Sequence, residues 1–362
     1  MLRLGVFTAL LCWLVTHGPG FMSLGVDAQE TGRVAVWRAR IGVDPNPKAG
    51  ADYMRDSKAE AIRLMRSTTR VNHYHYAAAW EDIERVQGVY TTDDLAFEMR
   101  ESAPLPVAFV LRIVTAGSRN MPGAYAGLPW DSPQMIERIS GLIEAIAPVV
   151  GQRPWSYAVG NEIDTYFSSR PAEIAAYARM LQQIKPRIRA LHPRALFTSS
   201  FQAEVASQLR TQYAPIVATL DSVSFMYYPL SADYVVRSPS VVPGELQALA
   251  DAAAPRPVYF QEIGYPTSPL LGSSLEAQAQ FVRLVYETVR SLGPARALGA
   301  TYLFQADFPD WVVERIAGAY NAGNHQRFRE YIRTLGLRDD RDRPKPGWRE
   351  FVKQTEAMAP AR

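Results

Sequence analysis

The sequence predicts one (β/α)8 barrel, and three observations carry that prediction. Short apolar runs alternate with longer amphipathic ones eight times over. No low-complexity or linker-like segment interrupts the series. The chain is long enough for eight such units. Alternating strand and helix implies a parallel sheet covered by helices, and eight repeats in a chain of 362 residues suit a closed barrel. A doubly wound open sheet is the competing architecture. It is disfavoured because Ile41-Gly42-Val43-Asp44-Pro45, after the first apolar run, is no glycine-rich phosphate loop.

The chain opens with Met1-Leu2-Arg3, an apolar run over 4–15, and small residues at Val26-Asp27-Ala28 before Gln29. That is the three-part pattern of a secretory leader, which assigns 1–28 to a signal peptide and 29–362 to one catalytic-sized domain. An uncleaved anchor is the alternative. The only cysteine, Cys12, falls in the leader, so the exported domain needs neither a disulfide nor a cysteine-built zinc site. A secreted or periplasmic location follows, with no membrane span in the mature chain and a monomer as the expected state. The net charge of +3 is small, and no basic run is interleaved with aromatics, so nucleic acid is not an expected partner.

Strands are expected at 34–43, 69–76, 106–114, 155–162, 195–200, 222–228, 258–263 and 300–304. Between them, Ser132-Pro133 opens a helix whose apolar positions recur at spacings of three and four through Ile146. Pro171-Ala172-Glu173 opens a second through Ile184. Ser274 caps a third that stops at Gly293-Pro294.

In a parallel barrel the chemistry sits at the C-terminal strand tips. The fourth strand ends Tyr157-Ala158-Val159-Gly160-Asn161-Glu162, and the seventh ends Gln261-Glu262. Burying a lone carboxylate is costly, so one such Glu reads as a solvated strand end. Two on tips that face each other across the mouth are the equipment for cleaving a glycosidic bond.

These segments resemble clan A of the glycoside hydrolases, the barrel superfamily of cellulases, galactanases, xylanases and β-xylosidases. Glu262-Ile-Gly-Tyr-Pro is similar to the nucleophile segment of galactan- and β-1,3-glucan-cleaving members. Trp80-Glu-Asp-Ile-Glu-Arg-Val-Gln-Gly-Val-Tyr resembles the clan's motif after strand two, with Arg85 where proline is usual. Gly336-Leu-Arg-Asp before Arg343-Pro-Lys-Pro resembles the closing segment. The resemblance implies a retaining mechanism without a cofactor, with Glu162 as general acid and then base and Glu262 as nucleophile. Asn161 would bind the sugar 2-hydroxyl.

The resemblance also implies a supporting shell. Tyr228 matches a tyrosine that donates to the nucleophile, with Met226 in place of the usual histidine. Tyr227 should face the other way by strand alternation. Arg70 is the candidate for the arginine beside the nucleophile, with Arg112 as a substitute. Phe304 stands where a tryptophan usually floors the sugar subsite, and Trp311 follows as a residue able to fold back over the cleft. Trp130 and Tyr265 are further candidate cleft aromatics. His73 and His75 share one strand face, and Asn72, Tyr74 and Tyr76 the other, as either rim filling or subsite lining. With no third ligand near the histidines, no metal is expected. The reading is a retaining β-glycosidase acting on a poly- or oligosaccharide. The alternatives are a carbohydrate-binding scaffold barrel without turnover and a transglycosylase using the same residues.

Overall fold

The computed structural model describes residues 38–359 apart from 49, 52, 53, 116 and 321. The leader expected at 1–28, with Cys12, lies outside the described residues. Eight parallel strands follow in order: Arg40–Val43, Tyr74–Ala79, Val107–Arg112, Pro154–Val159, a fifth in two pieces (Leu196–Thr198 and Ser200–Gln202), Val223–Tyr227, Val258–Ile263 and Ala297–Tyr302. All eight expected strands are present, most with shifted ends; residues 34–37 of the first lie outside the described residues.

Pairing runs in two parallel ladders. Strands two, three, four and the first piece of five form one ladder; the second piece of five, then six, seven, eight and one form the other. Strand five changes partner at Ser199, pairing Tyr157 with Phe197 on one side and Phe201 with Phe225 on the other. The remaining seam, between strands one and two, is stitched by Asn72. Its backbone N–H donates to the Ile41 carbonyl at 3.1 Å. Its side chain accepts from Ile41 N–H at 2.9 Å and donates to the Ala39 carbonyl at 2.9 Å. The amide thus takes the place of a backbone partner that strand two has not yet begun to supply. Asn72 is a structural residue.

Strand alternation sends one side chain set inward and one toward the helices. Inside the barrel, His73 Nε2 lies 3.0 Å from the Tyr259 hydroxyl and 2.8 Å from Thr301 Oγ1. Trp155 packs edge-on against both His73 and Tyr259. Burial holds the His73 imidazole well below its ordinary range, with the Arg40 charge acting the same way. It is a neutral filler. Outside, Phe260, Ile263, Tyr227 and Phe281 belong to the main core between strands and helices.

The three expected helices form at Pro133–Val150, Ile174–Leu191 and Leu275–Leu292. Ser132 Oγ accepts from Met135 N–H at 3.2 Å and Ser274 Oγ from Ala277 N–H at 3.1 Å, each satisfying an N-terminal donor. The Pro171 segment is a single turn of 3-10 helix leading into the second of these. No helix among the described residues is long and apolar enough to cross a membrane.

One region was not anticipated. After strand eight, residues 303–335 build two helices, Asp310–Ala319 and Gln326–Arg333, with their own apolar cluster around Leu303, Phe308, Val313, Phe328, Tyr331 and Leu335. Met226 and Tyr228, from strand six, join this cluster rather than the main core. The insertion therefore sits on the mouth of the barrel.

Candidate active site

The tip of strand four is bent into place by two left-handed residues. Gly160 has φ +88° and Glu162 φ +44°. For a non-glycine residue this region costs about 1–2 kcal/mol, and it persists here because the turn is held on both sides. Asn161 N–H donates to the Val114 carbonyl at 3.0 Å, and Glu162 N–H to Ser200 Oγ at 3.2 Å. Ser200 Oγ also donates to Asn161 Oδ1 at 3.3 Å. Both side chains are fully buried.

Strand seven solves a parity problem. Phe260 and Ile263 both face the outer core, although residues three apart on a regular strand face opposite ways. The ladder with strand six slips between Phe260 and Glu262, opposite Phe225 and Met226. This bulge re-aims the tip, and Glu262 lines the cleft. Tyr228 Oη donates to Glu262 Oε2 at 3.0 Å. Gly264 leaves room for that ring: a Cβ there would stand 2.8 Å from Tyr228 Cε1 and 2.9 Å from Leu335 Cδ2.

The two carboxylates share one electrostatic neighbourhood. Burial chiefly, with both Glu262 and Glu162 adding, drives the phenols of Tyr228 and Tyr331 well above their ordinary value. Tyr331, from the insertion, packs edge-on against Tyr228 at 5.8 Å between ring centres. Burial pushes Glu262 itself up to about 8, and Asp44 adds to the rise, while the Tyr228 hydrogen bond and the Arg112 guanidinium oppose it.

Around Glu262 opens a cavity of about 810 Å³, within the ordinary range for small-molecule sites. Phe304 lines it, at φ +73°, together with Tyr76, Asp44, Lys58 and Glu98. Lys58 Nζ lies 3.8 Å from Asp44 and 3.7 Å from Glu98. His75 Nδ1 is 3.8 Å from Asp44. Burial raises the Asp44 carboxyl, but His75 and Lys58 outweigh it and leave the group below its usual range.

Four expectations need correction. Arg70 is exposed and precedes strand two, its N–H donating to Thr355 Oγ1 on the last helix. That is the end of the barrel opposite the mouth, so it cannot serve Glu262. Arg112, at the tip of strand three, is the arginine whose charge Glu262 feels. Trp130 is buried, donates to Glu173 Oε2 at 2.7 Å and lies under the Arg119 guanidinium. Tyr265 is buried, donates to the Arg237 carbonyl at 2.8 Å and stacks on Phe281. Both are packing residues. Trp311 is 46% exposed on the insertion, beside Arg315, which lines the cavity. It does not line the cavity at Glu262.

The Trp80 motif has a structural purpose. Glu84 accepts from Trp80 Nε1 at 2.6 Å, Gly88 N–H at 2.7 Å and Tyr125 Oη at 2.7 Å, pinning the loop after strand two. Three groups that line or cover the site were not foreseen: Asp44, Lys58 and Tyr331. The helical spacing of Phe328, Tyr331 and Ile332 carried a signal for the last of these.

No family model matches the sequence, and no curated protein is similar to it. Solved structures are similar. A GH5_18 from Streptomyces cattleya, in complex with GlcNAc, shares 17% identity over 90% of this chain and 82% of its own, with a TM-score of 0.65. The exo-beta-1,4-mannosidase Op5Man5 from Opitutaceae bacterium strain TAV5 shares 21% identity over 89% of this chain and 61% of its own, with a TM-score of 0.66. Native xylanase 10B from Thermotoga maritima shares 15% identity over 88% of this chain and 95% of its own, with a TM-score of 0.58. This chain has the barrel fold of the glycoside hydrolases. Within that fold, its two buried glutamates occupy the tips of strands four and seven.

Proposed function

We propose that the protein is a retaining β-glycosidase acting on a poly- or oligosaccharide, with Glu262 as nucleophile and Glu162 as acid and base. The observation that carries this is the pair of buried carboxylates at the tips of strands four and seven, with Tyr228 Oη donating to Glu262 Oε2. The double displacement requires the two carboxyl groups to stand about 5–5.5 Å apart. In the first step the Glu262 carboxylate attacks the anomeric carbon as the C–O bond to the leaving group breaks, and Glu162 gives its proton to the departing oxygen. In the second, Glu162 takes a proton from water as that water attacks the same carbon and frees Glu262. Asn161 would hold the 2-hydroxyl, Tyr228 would steady the nucleophile's oxygen, and Phe304 would offer the sugar an apolar face.

The sugars and activities named for the similar structures, a β-1,4-mannosidase and a xylanase among them, support a β-linked substrate. In the same reading residues 1–28 are a cleaved leader, the mature chain is exported as a monomer, and no cofactor takes part. Purified protein should release reducing ends from one member of a β-glycan panel. Glu262→Ala and Glu162→Ala should each lower turnover by orders of magnitude while melting like the parent. Wild-type activity in both variants would refute the assignment.

A further inference from the structure

The cavity at Glu262 has two unlike walls. One side presents Asp44, Lys58 and Glu98, linked by ion pairs. The other is the inner face of the insertion and the start of the segment after strand eight: Leu303, Phe308, Val312, Ile316 and Ile332. Among the described lining residues on that side, only Arg315 and Tyr320 bear polar groups. A sugar ring pressed there would lose hydrogen bonds from most of its hydroxyls with nothing offered in return. A hydrocarbon group would lose none. Trp311, 46% exposed, extends the apolar side chains of the helix that carries Val312 and Ile316. A large exposed apolar side chain next to an apolar wall marks a surface that takes an apolar ligand.

We infer that this cavity takes a glycoside bearing a hydrocarbon group, its sugar at Glu262 and Asp44 and its hydrocarbon along the Leu303–Ile316 wall. This rests on the glycosidase reading and names its substrate class. The hydrocarbon can belong to an acyl ester on the cleaved sugar or to the leaving group; both present the same chemistry to the wall.

The test uses the full mature chain carrying Glu262→Gln, which separates binding from turnover. Calorimetric titration compares methyl with octyl β-D-glucoside, β-D-mannoside and β-D-xyloside below their micelle concentrations. The corresponding methyl glycosides carrying an octanoyl ester on the sugar form the second arm. Each buried methylene is a factor of roughly four in affinity, so an octyl or octanoyl ligand should bind at least about tenfold tighter than its methyl counterpart. Whichever arm shows the gain identifies the source of the hydrocarbon. Adding Ile316→Asp, at a partly buried position, should shrink the gain below about twofold and leave the methyl glycoside unchanged. Ile316→Ala, a milder truncation of the same lining residue, is the second variant and should also reduce the gain. Equal binding of all the ligands, a gain that survives Ile316→Asp in a protein that still melts cooperatively, or no binding of any would overturn the inference. A hydrocarbon-dependent gain in a protein whose parent cleaves no glycoside would instead count against the glycosidase reading and leave the cavity assignment standing.

Discussion

At the scale of single residues, Glu262 is pulled in two directions, and the pull has a sign. Burial holds its proton up to about 8, against an ordinary 4.5. A nucleophile must be ionised, so kcat/KM should climb as pH rises toward that value rather than level off near 5. Tyr228→Phe removes a hydrogen bond to the charged form, so the acidic limb should move to still higher pH, which a pH–rate profile reads directly. Stability runs the other way. Between about 4.5 and 8 the native carboxyl holds a proton that the unfolded chain has released, so folding stability falls as pH rises through that window. Glu262→Gln should therefore melt higher than the parent at pH 8, with little difference at pH 4. A lower melting temperature at pH 8 would show that the carboxylate is better satisfied than its burial implies.

At the scale of elements, the strand tips were legible because an apolar run that ends in a carboxylate has few structural uses. Tyr228 was legible from the resemblance, two residues past the position that Met226 fills in place of the usual histidine. The arginine was not. Arg70 lies farther ahead of Trp80 than the resemblance requires, and strand two begins only at Tyr74, which leaves Arg70 at the wrong end of the barrel. The insertion was missed because its apolar positions, read alone, suit a surface helix; only the closed barrel shows that they cover a cleft. Gly264 ties these elements together. Gly264→Ala would force the Tyr228 ring or Leu335 to move, so activity should drop by about tenfold or more while the circular dichroism spectrum stays parental. Unchanged kcat/KM would mean that Tyr228 need not hold its position.

At the scale of the whole molecule, the barrel closes by two local devices, the partner change at Ser199 and the amide of Asn72. Sequence periodicity could count eight strands, but it could not show how the first meets the second. Asn72→Ala leaves Ile41 N–H without its acceptor at the seam, which should cost about 1–3 kcal/mol in chemical denaturation; a loss under about 0.5 kcal/mol would mean that the seam is held elsewhere. The central claim is that carboxylates from strands four and seven meet at one sugar carbon. Azide rescue of Glu262→Ala on an activated aryl β-glycoside tests it most directly. The account predicts restored release of the aryl alcohol and a glycosyl azide of inverted anomeric configuration. Azide-independent activity in that variant, or rescue that yields the β-azide instead, would contradict it.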